Sequence, residues 1–402
     1  MITGAADDDP SGIATYSQAG AQFGFSLTWT MFLTLPFMAA VQIISALIGW
    51  TTCNGLTHTV ARHMPPIVVY GLVALLAIAN TINIAADLAA MGEAMRLVVD
   101  GSSLVYASSF GIACLAAEVI VPYHRYAGFL KFLTLVLFVY VAAAFSVHVP
   151  WASVVVFAIV PDFKLNQESL LMIVAIFGTT ISPYLFFWQA SQEAEESRLS
   201  HRGRHTREAG QPKDFFAHIS IDTAIGMLFS NLIAFFIIVT TAATLHASGT
   251  TKIETAAQAA EALRPIAGDL TFALFAAGII GTGLLAIPVL AGSAAYAVSE
   301  AFGIRGSLEL TFDRAVGFYA IVGAATLAGA ALSLTRIDPI ALLFWTAVIN
   351  GIVAVPIMVT MMSLTLRAAG IIALPIWLKA LGWAATALMT FAVASLAWLS
   401  FG

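Results

Sequence analysis

Apolar runs of about twenty residues, cut by charged or turn-forming residues, recur along the chain, and each is long enough to cross a bilayer as a helix. They predict spans near 26–50, 66–88, 102–122, 126–147, 168–194, 216–245, 268–300, 315–334, 338–365 and 376–401. A shorter helix ahead of them, from Ser11 to about Phe23, makes eleven, the first of only half length. Thr255 to Leu263, rich in alanine, reads as a short surface helix. Two runs are interrupted. Asp7-Asp8-Asp9-Pro10-Ser11-Gly12 opens the first, and Gly178-Thr179-Thr180-Ile181-Ser182-Pro183 cuts the sixth about halfway. Proline removes a backbone donor and disfavours helix in the residue before it, while glycine tolerates almost any backbone angle, so both stretches break a helix. Carboxylates at a break inside a membrane point to a cation. The plainer alternative is a solvated cap on the helix that begins at Ser11.

Composition fixes the setting. Of 402 residues, 60% are hydrophobic and only 10% charged, too little polar surface for a soluble protein, so the chain reads as a multi-pass protein of the cell inner membrane with the bilayer as its partner. A net charge of -5 and the lack of a basic tract argue against nucleic acid. Cys53 and Cys114 have no ligand-pair spacing and read as small hydrophobes. Three aspartates by position 9, with no charged or apolar leader before them, leave no cleavable signal peptide.

Lys and Arg set the orientation, because short cytoplasmic loops collect them. If the first helix runs outward, Arg62, Arg125, Lys131, Arg198, Arg202, Arg204, Arg207, Lys213, Arg305, Arg314, Arg367 and Lys379 fall on the cytoplasmic side. Only Arg96, Lys164, Lys252, Arg264 and Arg336 fall opposite. Spans one to five then run opposite to spans six to ten, as an inverted repeat requires, and Asp9-Pro10 corresponds to Ser182-Pro183.

Ionisable groups inside spans default to functional hypotheses. Asp87 and Glu93, six apart in the third span, read as lining a water-filled route, with an interfacial position the alternative for Glu93. Glu118 reads as a partner of Arg125. Asp222 and Asn231, in the seventh span, read as supports for the sixth. Asn350 in the tenth span is either an interhelical hydrogen-bonding group or part of the site. Glu193, Glu195 and Glu196 mark the cytoplasmic end of the sixth span.

Asp9-Pro10, Ile13-Ala14-Thr15 and Gln18-Ala19-Gly20-Ala21-Gln22-Phe23-Gly24 resemble the first helix of the Nramp family of divalent-metal transporters. The order of spans and the sixth-span break agree, so the resemblance covers nearly the whole chain. It implies an all-α LeuT-like fold, a five-plus-five inverted repeat with an added eleventh helix, and the first and sixth helices broken around the metal. On that reading residues 1–147 form the first repeat with its first span truncated, 168–365 the second, and 376–401 the additional span. The resemblance also implies transport without a cofactor, the metal being substrate.

Departures from the family give the reading a direction. Members carry Asp-Pro-Gly-Asn in the first helix and Met-Pro-His in the sixth, where this chain has Asp9-Pro10-Ser11-Gly12 and Ser182-Pro183-Tyr184. The aspartate ligand carries over to Asp9, the asparagine becomes Gly12, the methionine becomes Ser182, and the residue offering its carbonyl becomes Thr179. Sixth-helix histidines become Tyr184 and Gln189, the acidic residue three after Asp87 becomes Ala90, and Asn350 lies near the family's tenth-helix glutamine. Loss of thioether sulfur favours hard cations, and small residues leave room for the waters that magnesium gives up reluctantly. The pattern is similar to the Nramp-related magnesium branch. It implies import of Mg2+, with Mn2+ second, without proton coupling. A proton-coupled Mn2+/Fe2+ symporter is the nearest alternative. An amino-acid symporter would set a substrate carboxylate against three aspartates, and a membrane-embedded hydrolase would need a His-Glu-x-x-His pair or a nucleophile with a base, which are not found.

Overall fold

The computed structural model describes residues 7–121, 133–161, 166–202, 212–308, 310–335, 337–370, 372 and 374–401. Pro10 starts the first helix, α1 (Pro10–Phe23), because its ring presets the helical φ and its missing N–H is not needed at a first position. Asp9, extended at φ -71° and ψ 168°, caps it by accepting the Gly12 amide. At the far end Gly24, with φ 58°, turns the chain out of the helix.

The helices that follow are α2 (Trp29–Thr52), the short α3 (Leu56–Ala61), α4 (Pro66–Arg96), α5 (Ser103–Ile120), α6 (Phe138–Ser146) and α7 (Trp151–Ile159). The sixth span is α8 (Gln167–Thr180) and α9 (Pro183–Arg202), parted at Ile181 and Ser182. Beyond it lie α10 (Pro212–Thr241), α11 (Ala256–Glu261), α12 (Arg264–Ala267), α13 (Thr271–Phe302), α14 (Val316–Ser333), α15 (Pro339–Arg367) and α16 (Ile376–Phe401). Among the described residues, nine helical stretches are long and apolar enough to cross a membrane, ten with the bent pair α6–α7. The surface helix expected after Thr255 is α11, closed by a capping box between Thr255 and Gln258.

Two elements depart from the sequence reading. The fifth span does not end the helical path at residue 147. After Pro150 the chain forms α7, turned 117° from the preceding helix, and Trp151 stacks on Phe145 at a centroid distance of 5.3 Å. The other is α3, six residues between the second and third predicted spans, where no helix is expected. The beginning of the predicted fifth span, residues 126–132, lies outside the described residues, as does Arg125. Glu118 takes a hydrogen bond from Thr326 Oγ1 of the ninth span at 3.1 Å.

Packing places the broken helices at the centre. Within the sixth span 94% of the apolar stretch is buried in protein, against 22% for α5, so the sixth is shielded from lipid and the fourth is not. α1 packs on α10, the seventh span, and α9 packs on α2, the second. The long α4 touches α5, α13, α14 and α15.

Close approach of α8 and α15 depends on glycine. A Cβ on Gly178 would collide with the Ala347 carbonyl and the Gly351 amide. Gly178→Ala is therefore expected to destabilise by about 1–3 kcal/mol through overpacking. A lowered thermal midpoint in detergent checks it, with Gly71→Ala, where a Cβ meets nothing within 4 Å, as a control that leaves the midpoint in place or raises it.

Candidate functional site

Asp9 is where the start of the first helix meets the sixth-span break. Its Oδ1 accepts from the Gly12 amide at 2.8 Å and from Ser11 Oγ at 2.6 Å, both within its own helix start. Its Oδ2 accepts from Asn83 Nδ2 of α4 at 3.1 Å and from Tyr184 OH of α9 at 3.4 Å. A single carboxylate, 1% exposed, thus receives donors from the first, third and sixth spans. Its neighbours are not interchangeable with it. Asp7 and Asp8 are also buried, but both accept from Ser230 Oγ of α10, at 2.7 and 3.0 Å.

Of the residues expected around the ion, Gly12 and Thr179 adjoin Asp9. A Cβ on Gly12 would stand 3.0 Å from Thr179 Oγ1 and 3.6 Å from Asp9 Oδ1, so the missing side chain is the space between α1 and α8. Ser182 lies in the sixth-span break, its hydroxyl donating back to the Thr179 carbonyl at 2.8 Å and the Gly178 carbonyl at 3.2 Å. Bound so, the hydroxyl keeps its lone pairs available to a cation or to water. Asn350 is 1% exposed on α15, beside the Gly178–Gly351 crossing, and no hydrogen bond links it to Asp9, Thr179 or Ser182.

The expected pathway residues separate. Asp87 is fully buried one helical turn beyond Asn83, with neither carboxylate oxygen hydrogen-bonded. Tyr184 is drawn into the site by its bond to Asp9. Glu93 pairs with Arg96 toward the end of α4 and does not gather at Asp9. Gln189 donates to Glu193 Oε1 at 2.9 Å along α9. Asn231, read as a support for the sixth span, instead ties the seventh to the second. Its Nδ2 donates to the Met31 carbonyl at 3.0 Å, and its Oδ1 accepts from Thr34 Oγ1 at 3.4 Å.

Sequence reasoning missed Asn83 and Ser230. Asn83 stands four residues before Asp87, on the same helix face, and that spacing was a usable signal. Nothing local distinguishes Ser230.

Two larger cavities open elsewhere, neither lined by Asp9, Gly12, Thr179 or Ser182. One of about 600 Å3 lies over α1, lined by Gln18, Gln22, Glu168, Lys252 and Phe344 and ending at Ala14. The other, about 340 Å3, lies on the side that the basic residues assign to the cytoplasm. There Glu300 of α13 accepts from the His58 amide at 3.0 Å and from Ser191 Oγ at 3.3 Å, while Tyr296 OH donates to Glu195 at 2.8 Å. Among the described residues no three His, Cys, Asp or Glu side chains group as a metal site would.

Comparison with known proteins gives these features a family. Residues 1–399 match the family described as natural resistance-associated macrophage protein-like, Nramp. The divalent metal cation transporter MntH of Klebsiella pneumoniae is 25% identical over 392 residues, covering 95% of this chain and 88% of that relative. MntH of Yersinia enterocolitica is 27% identical over 292 residues, 69% of this chain and 65% of the relative's length. Among solved structures, the Eremococcus coleocola manganese transporter with an aromatic bis-isothiourea compound superposes with a TM-score of 0.73 at 14% identity, covering 99% of this chain and 85% of that one. A mutant of that transporter gives 0.75 over 97% and 83%. The fold is LeuT-like, and the protein it defines is a multi-pass inner-membrane transporter of divalent metal cations, not an enzyme. The chain belongs to the Nramp family.

Proposed function

We propose that this chain imports a hard divalent cation, magnesium ahead of manganese, by alternating access and without moving protons. The observation that supports this reading is the chemistry of the sixth-span break. Ser182 and Thr179 offer hydroxyl and carbonyl oxygens there, where a family member offers a methionine sulfur. Oxygen donors suit magnesium and manganese, and sulfur suits softer metals. With no side chain at Gly12, α1 lies close against Thr179, a Cβ there standing 3.0 Å from Thr179 Oγ1, so a partly hydrated ion enters between Asp9 and Thr179 as the two helices part during alternating access. Carbonyl ends of helices carry negative partial charge, so the end of α8 adds to the attraction of Asp9.

Competition among Mg2+, Mn2+, Fe2+ and Cd2+ for uptake into liposomes, with internal pH recorded, tests the proposal. Magnesium is expected to compete best, and no acidification is expected to accompany uptake, because neither Tyr184 nor Gln189 replaces a histidine as a proton carrier near neutral pH. The rival reading, proton-coupled manganese or iron symport, has one observation in its favour, the unpaired buried carboxylate of Asp87. Metal-driven proton influx that disappears in Asp87→Asn would establish that rival.

A further inference from the structure

Three side chains on one face of α4 share a property that the bonds around Asp9 do not explain. Asn80, Asn83 and Asp87 stand at i, i+3 and i+7, which aligns them along one side of the helix, and all three have 0% exposure. Each has oxygen without a hydrogen-bond partner: Asn80 Oδ1, Asn83 Oδ1 and both oxygens of Asp87. Buried polar atoms are paired as a rule, with protein or with ordered water, so a row of orphan acceptors marks donors that arrive from elsewhere.

Asn83 is the member of the row that reaches the ion site. Asn80 is held by the eighth span, its Nδ2 donating to the Leu290 carbonyl and Ser293 Oγ, each at 2.8 Å. Asn83 instead donates through Nδ2 to Asp9 Oδ2 at 3.1 Å, which sets its amide head against the carboxylate. In that orientation the amide donates to the carboxylate; turned over, it would set a carbonyl against an ionised Asp9.

The geometry points to Asn83 as a binding residue for the transported cation: its nitrogen fixes Asp9, and its carbonyl oxygen accepts a hydrogen bond from a water in the ion's retained shell. An amide oxygen cannot ionise, so it holds such a water without adding charge to a site that already contains buried carboxylates. The inference rests on the hydrated-cation reading above. It adds a residue that favours the hydrated ion, since a water in the retained shell donates to Asn83 Oδ1 where a bare cation would have to reach it directly.

Calorimetric titration of purified protein with Mg2+ and with Mn2+ tests it in Asn83→Leu, Asn83→Ala and Asn83→Asp. The leucine and alanine variants are expected to lose Mg2+ affinity by at least about tenfold, the scale of an outer-shell partner, and to lose less for Mn2+. The alanine variant cannot overpack the site and keeps the test intact if leucine misfolds. Asn83→Asp removes the donor to Asp9 and sets a second carboxylate against it, so it is expected to weaken both metals alike and shows what an unsteadied Asp9 does. Unchanged Mg2+ affinity in the alanine variant overturns the inference. So does an equal loss for both metals in the leucine and alanine variants, the pattern of Asn83→Asp, which would make Asn83 a peg that only steadies Asp9. Asp9→Ala, titrated beside them, separates the two levels. Normal Mg2+ binding in that variant removes the proposed function itself, whereas loss there with no effect at Asn83 removes only the present inference.

Discussion

Asp9→Ala is expected to lower divalent-cation uptake by at least about a hundredfold, equivalent to ~2.7 kcal/mol of lost binding, with membrane insertion intact. The size follows from what surrounds the carboxylate. Four donors converge on it from three spans, and each keeps its partner when a cation neutralises the charge. Alanine removes the carboxylate that adjoins Gly12 and leaves the Asn83 and Tyr184 donors aimed at a void. The adjacent aspartates do not compensate, because Asp7 and Asp8 are turned toward the seventh span by Ser230. Asp9→Asn separates charge from shape, since it retains one acceptor oxygen and is expected to transport as poorly as alanine. Uptake by purified Asp9→Ala in liposomes at near the wild-type rate would sink the assignment of the site.

Local chemistry made the start of α1 and the sixth-span break legible in the sequence, and tertiary contact hid what surrounds them. Asp9-Pro10 and Ser182-Pro183 announce themselves because a proline and its preceding residue restrict the backbone wherever they occur. Apolar runs likewise show where spans exist. They do not show which face of a span packs inward, because in a membrane the lipid-facing side is as apolar as the core and the usual helical periodicity fades. For that reason Asn231 was assigned to the wrong neighbour, and Ser230, one residue earlier, gave no sign of holding two aspartates. Asp87 was visible as a charge in an apolar run, whereas Asn83, uncharged, was not singled out although it is the one bonded to Asp9. The turn at Pro150 escaped for a different reason. Residues 151–159 are apolar but too few to cross a bilayer, so a search by span length passes over them.

Ser182→Met, alone and combined with Gly12→Asn, is expected to raise affinity for manganese or cadmium relative to magnesium by about tenfold, ~1.4 kcal/mol. A thioether is a soft donor that adds little for magnesium and more for cadmium. It would also occupy volume assigned here to retained water, and it removes a hydroxyl oxygen, so magnesium binding is expected to weaken as the softer metals gain. The two positions differ in how much they tolerate. At position 12 a new Cβ would lie 3.0 Å from Thr179 Oγ1 and 3.3 Å from Tyr16 Cε2, so asparagine requires both side chains to shift slightly. At position 182 the loss is the pair of bonds to the Gly178 and Thr179 carbonyls, which frees those carbonyls toward the ion. If Ser182 serves only to close the end of α8 through those bonds, methionine lowers the thermal midpoint and leaves ion preference where it was. Titration of the single and double variants with Mg2+, Mn2+ and Cd2+ distinguishes the cases. Unchanged affinities in well-folded protein would take Ser182 and Gly12 out of the site and remove the main support for magnesium.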